Sequence, residues 1–354
     1  MGGLVPLHLD VFKIGMLVLP AIKGGHAMRV LAGIIAIAAL LFCQNPAIAQ
    51  ERLRIAWAGA SPANSPIWVV QEKNLLKKQG IDAEVISITA SPIALQAMLA
   101  GEVDVIVTSV TTLVNSRLAG ADIVAILGLV PTFVDHIITL PTVARVEQLK
   151  GKTGGVNRLG STSDLGLRLA LRKMGVDPER DMKIVTTGDN PQRLAAIKSG
   201  VVQFTIMPEP FVREAEKLGL KDLLDIGSLK IPFHWNAALT RESIIKSKRP
   251  LVAKFARAMT EALHFLKTEK EGTKAIFSKN LRLTDPEGLE RAFKAYSAVF
   301  PEAPYPTPEG VKTLLDDMAP RNPKAAAADP KSFVDMSFVQ ELDSSGFIKQ
   351  LYKR

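Results

Sequence analysis

The chain has 354 residues, 47% of them hydrophobic and 22% charged, which is ample for a substantial core divided between two lobes. Its net charge of +9 is spread along the chain, with no dense basic stripe carrying interleaved aromatics, so a nucleic-acid partner is excluded as the leading reading. The single cysteine, Cys43, falls in the N-terminal region, which leaves residues 50–354 without thiol, disulfide or thiolate metal chemistry.

The N-terminus carries an export pattern. Met28-Arg29 precedes the uncharged run Val30 to Phe42, and Ala47-Ile48-Ala49 supplies an A-x-A cleavage site before Gln50. The run is shorter than the ~20 residues needed to span a membrane, so residues 1–49 read as a cleaved signal peptide, with Met28 a candidate start. Phe42 stands where a small residue would precede an acylated Cys43, which places lipidation second to cleavage.

From Arg52 the elements alternate. Strands are expected over Arg52 to Ala58, Ala83 to Ile88, Val103 to Val107, Ile123 to Leu129 and Val134 to Leu140, with helices over Pro66 to Gln79 and Ile93 to Ala100 and another opening at Thr108-Ser109. Ser91-Pro92 gives the second helix an N-cap and an N1 proline. The pattern then restarts with strands at Thr153 to Val156, Lys183 to Thr186 and Val201 to Met207 and a helix over Asp164 to Met174. Leu95, Ala97, Gly101, Val103 and Gly120 recur 99 residues later as Leu194, Ala196, Gly200, Val202 and Gly219. Two helix–strand–helix units at one offset predict an α/β fold of two similar lobes, each a mainly parallel sheet flanked by helices. Phe233 to Thr240 is expected to return to the first lobe. The divisions are 50–138 for lobe 1, 139–234 for lobe 2, and 235–354 for the return and the C-terminal helices. Those helices are expected over Pro250 to Lys267, Asp285 to Val299 and Pro308 to Met318, with Ala319 to Pro330 as loop.

Five polar corners between strand and helix are the candidate site: Gly59 to Ser61, Ser91, Thr108-Ser109, Arg158 to Ser163, and Pro208-Glu209. Helix N-termini offer unpaired N–H groups and partial positive charge, and hydroxyls add adaptable donors, a combination suited to a small anionic or zwitterionic ligand. Each Ser or Thr taken singly is as well explained as a helix cap. Arg158 is a candidate clamp for a carboxylate or sulfonate, and equally an ordinary solvated arginine. His136, on an expected crossing strand, is a candidate cleft residue or a structural histidine. Trp57 and Trp235 are candidate aromatic walls with core packing as the alternative. Glu209, between two prolines, is expected to make a structural hydrogen bond or ion pair. Gly151-Lys152-Thr153 lacks the leading glycine and following helix of a P-loop, no G-x-S-x-G elbow occurs, and His136, His234 and His264 show no metal-ligand pairing. No metal or cofactor is therefore expected.

The exported N-terminus, LAGEVDV at Leu99 to Val105, LKGK-TGGV at Leu149 to Val156, GSTSD at Gly160 to Asp164 and Pro208-Glu209-Pro210 together resemble the solute-binding proteins of ABC importers for nitrate, sulfonates and taurine. The resemblance covers Arg52 to Tyr352. It implies a type II periplasmic-binding fold whose lobes close on a ligand and whose closed form docks on an inner-membrane permease, in a periplasmic, monomeric, non-enzymatic protein. It also implies that Ser61, Ser91, Thr108, Ser109, Ser161, Thr162 and Glu209 neighbour the ligand. Such proteins often repeat an aspartate where this chain has Gln203 opposite Asp104, and both positions are expected to lie outside the cleft. An exported enzyme acting through His136 and a sensor without transport are the alternatives. The cysteine-dependent thiamine-pyrimidine synthase of the same superfamily is disfavoured by the cysteine-free mature chain.

Overall fold

A computed structural model describes residues 51–353 except 60, 89 and 90. The signal-peptide, start-site and Cys43 readings lie outside the described residues.

Two five-stranded sheets organise the chain. The first contains β1 (Glu51–Ala58), β2 (Ile81–Ile88), β3 (Val105–Thr108), β4 (Ile123–Thr132) and β10 (Pro232–Arg241), in the order β2-β1-β3-β10-β4. The second contains β5 (Asp135–Thr139), β6 (Thr153–Val156), β7 (Lys183–Thr186), β8 (Phe204–Pro208) and β9 (Lys221–Asp225), in the order β7-β6-β8-β5-β9. β1 pairs in parallel with β2 and β3, as β6 does with β7 and β8. One strand in each sheet runs against its neighbours: β10 between β3 and β4, and β5 between β8 and β9. The two sheets therefore have one topology.

The first sheet is flanked by α1 (Ser65–Glu72), α2 (Leu75–Lys78), α3 (Ser91–Leu99) and α4 (Val110–Leu118). The second carries α5 (Thr162–Lys173), α6 (Asn190–Lys198) and α7 (Phe211–Lys217). After β10 come α8 (Glu242–Thr268), α9 (Lys270–Leu281), α10 (Pro286–Val299) and α11 (Pro308–Met318). Short helices α12 (Pro323–Ala327), α13 (Ser337–Ser344) and α14 (Phe347–Leu351) close the chain.

The repeat at offset 99 extends to hydrogen bonding. Arg54 N donates to Asp104 Oδ2 at 2.9 Å, and Thr153 N donates to Gln203 Oε1 at 3.0 Å. The reverse bonds, Asp104 N to Arg54 O and Gln203 N to Thr153 O, are both 2.8 Å. Gln203 thus makes the aspartate's contact, and its Nε2 also donates to Gly200 O at 3.0 Å. In the first unit Arg54 Nη2 serves the counterpart carbonyl of Gly101 at 2.6 Å. Gly101 and Gly200 both have φ near +80°, at +80° and +76°, which explains why glycine recurs where helix turns into strand.

Packing fixes the second sheet tightly. Gly154 lies opposite Phe204, and a Cβ on Gly154 would sit 2.4 Å from the buried Phe204 ring. Gly154→Ala is expected to lower stability by about 1–3 kcal/mol through overpacking, read as a reduced urea midpoint at unchanged slope.

Several expectations shift. The chain passes between sheets at Phe133-Val134 and returns through residues 226–231; Phe133 stacks on Phe233, near the start of β10, at 4.3 Å and 5°. The segment Val134 to Leu140 is not a free hinge, because β5 is paired on both edges. α8 begins at Glu242, not at Pro250. It kinks at Lys248 (φ −134°, ψ 32°), where the approaching proline forbids regular helix. Lys270–Leu281 is helical although Gly272, Ser278 and Asn280 weaken its helical pattern, because Thr273, Ile276 and Phe277 are buried. The expected loop 319–330 contains α12, capped by Asn322.

Candidate functional site

The two lobes meet at the helices that follow β3 and β6. Thr111, in the first turn of α4, has its Oγ1 3.4 Å from Oγ1 of Thr162, the first residue of α5. Two helix N-termini, one from each lobe, therefore converge, and their partial positive charges add. Deeper, Trp235 on β10 donates from Nε1 to Asp135 Oδ2 on β5 at 2.7 Å, a second bond across the lobes.

The hydroxyls in this region differ in how fully they are used. Ser109 is the N-cap of α4 in extended conformation, yet its side chain makes no capping bond. Thr108, buried at the end of β3, donates to Ser91 Oγ at 2.8 Å, which joins the β2–α3 and β3–α4 corners. Ser161, the N-cap of α5, makes no cap bond of its own; its Oγ lies 3.0 Å from Ser163 Oγ and accepts from Arg158 N at 3.4 Å. Ser61 is buried and half-structural. Its Oγ caps the short turn Pro62–Asn64 by accepting from Ala63 N at 3.3 Å, and it lies 3.4 Å from Tyr296 Oη.

Glu209 is buried beyond β8, where Arg291 of α10 donates from Nε to its Oε1 at 2.7 Å; Oε2 has no partner among the described residues. Burial raises its pKa, against the opposing charges of Arg291 and His136. α10 thereby ties Ser61 through Tyr296 to Glu209 through Arg291, spanning both lobes. Further pairs lie along the same seam: Arg213–Glu287 at 2.6 Å, Lys217–Asp285 at 2.9 Å, and Arg291–Glu216. On the opposite side Arg172 of α5 pairs with Asp317 of α11.

Two expected residues have other surroundings. Arg158 is exposed on its loop. His136 is held in the second sheet, with Nδ1 2.8 Å from Asp222 Oδ2 on β9. Burial alone would lower its pKa, but the Asp222 hydrogen bond and the charges of Asp222, Asp225 and Glu209 leave it raised. Trp57 is partly buried, edge-on to the buried Trp68 at 5.6 Å.

Residues absent from the sequence expectation complete the region. Asp135 is buried and its pKa is raised by desolvation, partly offset by the charge of Arg193 and the Trp235 bond. Tyr296 is buried, and its hydroxyl is pushed above its usual pKa by desolvation. Arg193 of α6 is buried as well.

A family model described as NMT1/THI5 like matches residues 61–271, more than half of the chain. The chain belongs to the NMT1/THI5-like family. This NMT1/THI5-like chain is similar to the inferred binding protein YtlA of Bacillus subtilis (strain 168), at 22% identity over 262 residues that cover 72% of this chain and 78% of YtlA. Its fold is that of the periplasmic aliphatic sulphonate binding protein SsuA from Escherichia coli, with TM-score 0.66 and 20% identity over 81% of this chain and 92% of SsuA. It is equally that of the periplasmic nitrate-binding protein NrtA from Synechocystis PCC 6803, with TM-score 0.67 and 14% identity over 84% of this chain and 89% of NrtA. At these identities the likeness to SsuA and NrtA is one of fold. No helix among the described residues is long and apolar enough to cross a membrane.

Proposed function

We propose that this chain is the exported solute-binding component of an ABC importer. In this reading it holds a small anion of sulfonate, nitrate, taurine or organic carboxylate type between its lobes and presents the closed form to an inner-membrane permease. The observation that carries the reading is the meeting of the α4 and α5 N-termini across the lobes, with the Ser109 hydroxyl left unused by its own helix. Membership of the NMT1/THI5-like family and a fold shared with the periplasmic binding proteins SsuA and NrtA support it, as does the A-x-A-terminated N-terminus. Ser61, Ser91, Thr108, Ser109, Ser161, Thr162 and Glu209 neighbour the solute, and the lobes open about Phe133-Val134 and residues 226–231. The solute favours the closed state through contacts available only there.

A thermal-shift series with methanesulfonate, taurine, nitrate, acetate, benzoate and neutral pyrimidines tests the reading. At one hundred times its Kd a bound anion adds about 2.7 kcal/mol of apparent stability. Stabilisation by neutral or cationic compounds alone would overturn the anion assignment. Ser109→Trp, which fills the space in front of α4, is expected to remove the anion-induced shift while leaving the melting temperature of the free protein within a few degrees. Unchanged affinity in that variant would place the solute elsewhere.

A further inference from the structure

We propose that Arg193 is an anion-binding residue of the cleft, taking the oxygens of a singly charged oxyanion such as a sulfonate or carboxylate at the N-terminus of α6. The proposal rests on the solute-binding reading and names the residue and charge class that the reading leaves open.

The duplication makes Arg193 conspicuous. Its counterpart 99 residues earlier is Ala94, fully buried against the first sheet, and the next buried positions, Met98 and Ile197, are both apolar. An arginine has taken an alanine's place at a position the fold otherwise keeps small and apolar. Such a substitution removes a cation from water and needs compensation.

The compensation within the chain is incomplete. Arg193 is 5% exposed, and its Nη2 donates to Asn190 Oδ1 on the first residue of α6, which holds the guanidinium at that helix's start. Nε and Nη1 have no hydrogen-bond partner among the described residues. That leaves three buried N–H donors, each expensive to strand without an acceptor. The acids that influence Arg193 most are Asp135 and Asp189. Neither forms an ion pair with it, and both are engaged elsewhere: Asp135 Oδ2 accepts from Trp235, and Asp189 Oδ1 accepts from Asn157 Nδ2 at 2.5 Å. Burial pushes the guanidinium pKa down to about 10, so the group remains a cation at neutral pH.

Unused donors on a buried cation at a helix N-terminus match the oxygens of an anion. Asp135 sets the charge limit. Its own buried carboxyl, fixed by Trp235 on the other lobe, repels a second negative charge, so a monoanion is favoured over a dianion such as sulfate. Trp235 makes that carboxylate part of the lobe junction, so an anion on Arg193 would act at the place where closure is decided. The exposed Arg158 has no comparable desolvation to strengthen its field.

The test compares methanesulfonate with its neutral isostere methanesulfonamide, and with sulfate, on the full chain and on Arg193→Gln and Arg193→Lys, by isothermal titration. The free protein is expected to prefer methanesulfonate over both competitors by at least tenfold. Arg193→Gln should lose that preference over the sulfonamide, with affinity for the sulfonate falling on the order of a hundredfold. Arg193→Lys, which keeps the charge but not the three-donor fork, should retain the preference with affinity reduced about tenfold. A purely structural arginine would lower stability in both variants without altering the sulfonate-to-sulfonamide ratio. An unchanged ratio in folded Arg193→Gln therefore overturns the proposal, as does loss of the preference in folded Arg193→Lys. If the unsubstituted chain binds a neutral solute and no anion, the Arg193 proposal fails while the cleft reading stands. Binding of no compound in this series or the thermal-shift series defeats both.

Discussion

Replacing Arg291 with methionine is expected to lower the unfolding free energy by about 3 kcal/mol at neutral pH, and by progressively less as the solution is acidified. Glu209 is 4% exposed, and Arg291 is the cation whose Nε reaches its carboxylate at 2.7 Å. Without that partner the folded chain must either keep an uncompensated buried charge or protonate it. Protonation sets the ceiling, since holding a carboxyl of ordinary pKa 4.5 neutral at pH 7 costs about 1.4 kcal/mol per pH unit. The sign follows from linkage. In the variant the folded pKa of Glu209 lies still further above its unfolded value, so stability is retained below about pH 4.5 and lost as the pH climbs towards the new folded value. Urea unfolding at pH 5 and pH 7.5 reads the difference. Adding Glu209→Gln should recover most of the loss at pH 7.5; a loss that is equal at both pH values and not recovered would assign Arg291 a packing role.

Acid should expose a second buried group. His234 is fully buried on β10, between Gly128 and Gly310, where added Cβ atoms would stand 2.5 and 2.6 Å from its ring. Thr307 N donates to its Nε2 at 2.8 Å, which pins the 301–308 segment to the first sheet through the neutral imidazole. Burial pushes the pKa down to about 4, against weaker opposite pulls from the Thr307 carbonyl and Glu309. A histidine depressed in the folded state holds its full stability above its unfolded pKa near 6.5 and loses it as the pH falls through the folded value. The expected loss between pH 6.5 and 4 is on the order of 3 kcal/mol from this group. His234→Gln keeps an acceptor for Thr307 N and removes the titration. Its melting temperature should therefore fall less than that of the unsubstituted chain between pH 7 and pH 4.5. Parallel declines in the two proteins would show that His234 does not govern this range. His136, with its raised pKa, works in the opposite direction and gains stability below neutrality.

Much of the architecture is legible in residues that obey local rules. Gly101 and Gly200, and Gly120 and Gly219, recur because each ends a helix in the left-handed region, a requirement that survives sequence drift elsewhere. Ser91-Pro92 and Asp189 before Asn190-Pro191 mark helix starts for the same kind of reason. What escapes is set by distance along the chain. Tyr296 and Arg291 reach Ser61 and Glu209 from a helix whose pattern records only its own amphipathic face. Arg193 reads as an ordinary solvated residue between Gln192 and Leu194. The one signal that sets it apart is its mismatch with Ala94, which becomes meaningful once the two units are superposed. Arg158 is exposed in a glycine- and serine-rich corner, whose backbone does not by itself fix where a long side chain goes. The antiparallel course of β10 was also hidden, since alternation along a strand carries no direction.

The placement of β10 also imposes an order of assembly. The second sheet is built from one continuous stretch, residues 135–225, and all five of its strands are present when that stretch is complete. The first sheet cannot close at that point. β3 and β4 are separated by a gap that only residues 232–241 fill, so the N-terminal lobe waits with two open strand edges until the other lobe has been made. The lobe that begins the chain is thus the later one to finish. Its exposed edges, Val105–Thr108 and Ile123–Thr132, are the segments most at risk of pairing with another molecule during biogenesis. A chain interrupted before residue 232 should therefore yield a foldable second lobe attached to an adhesive, unfinished first one.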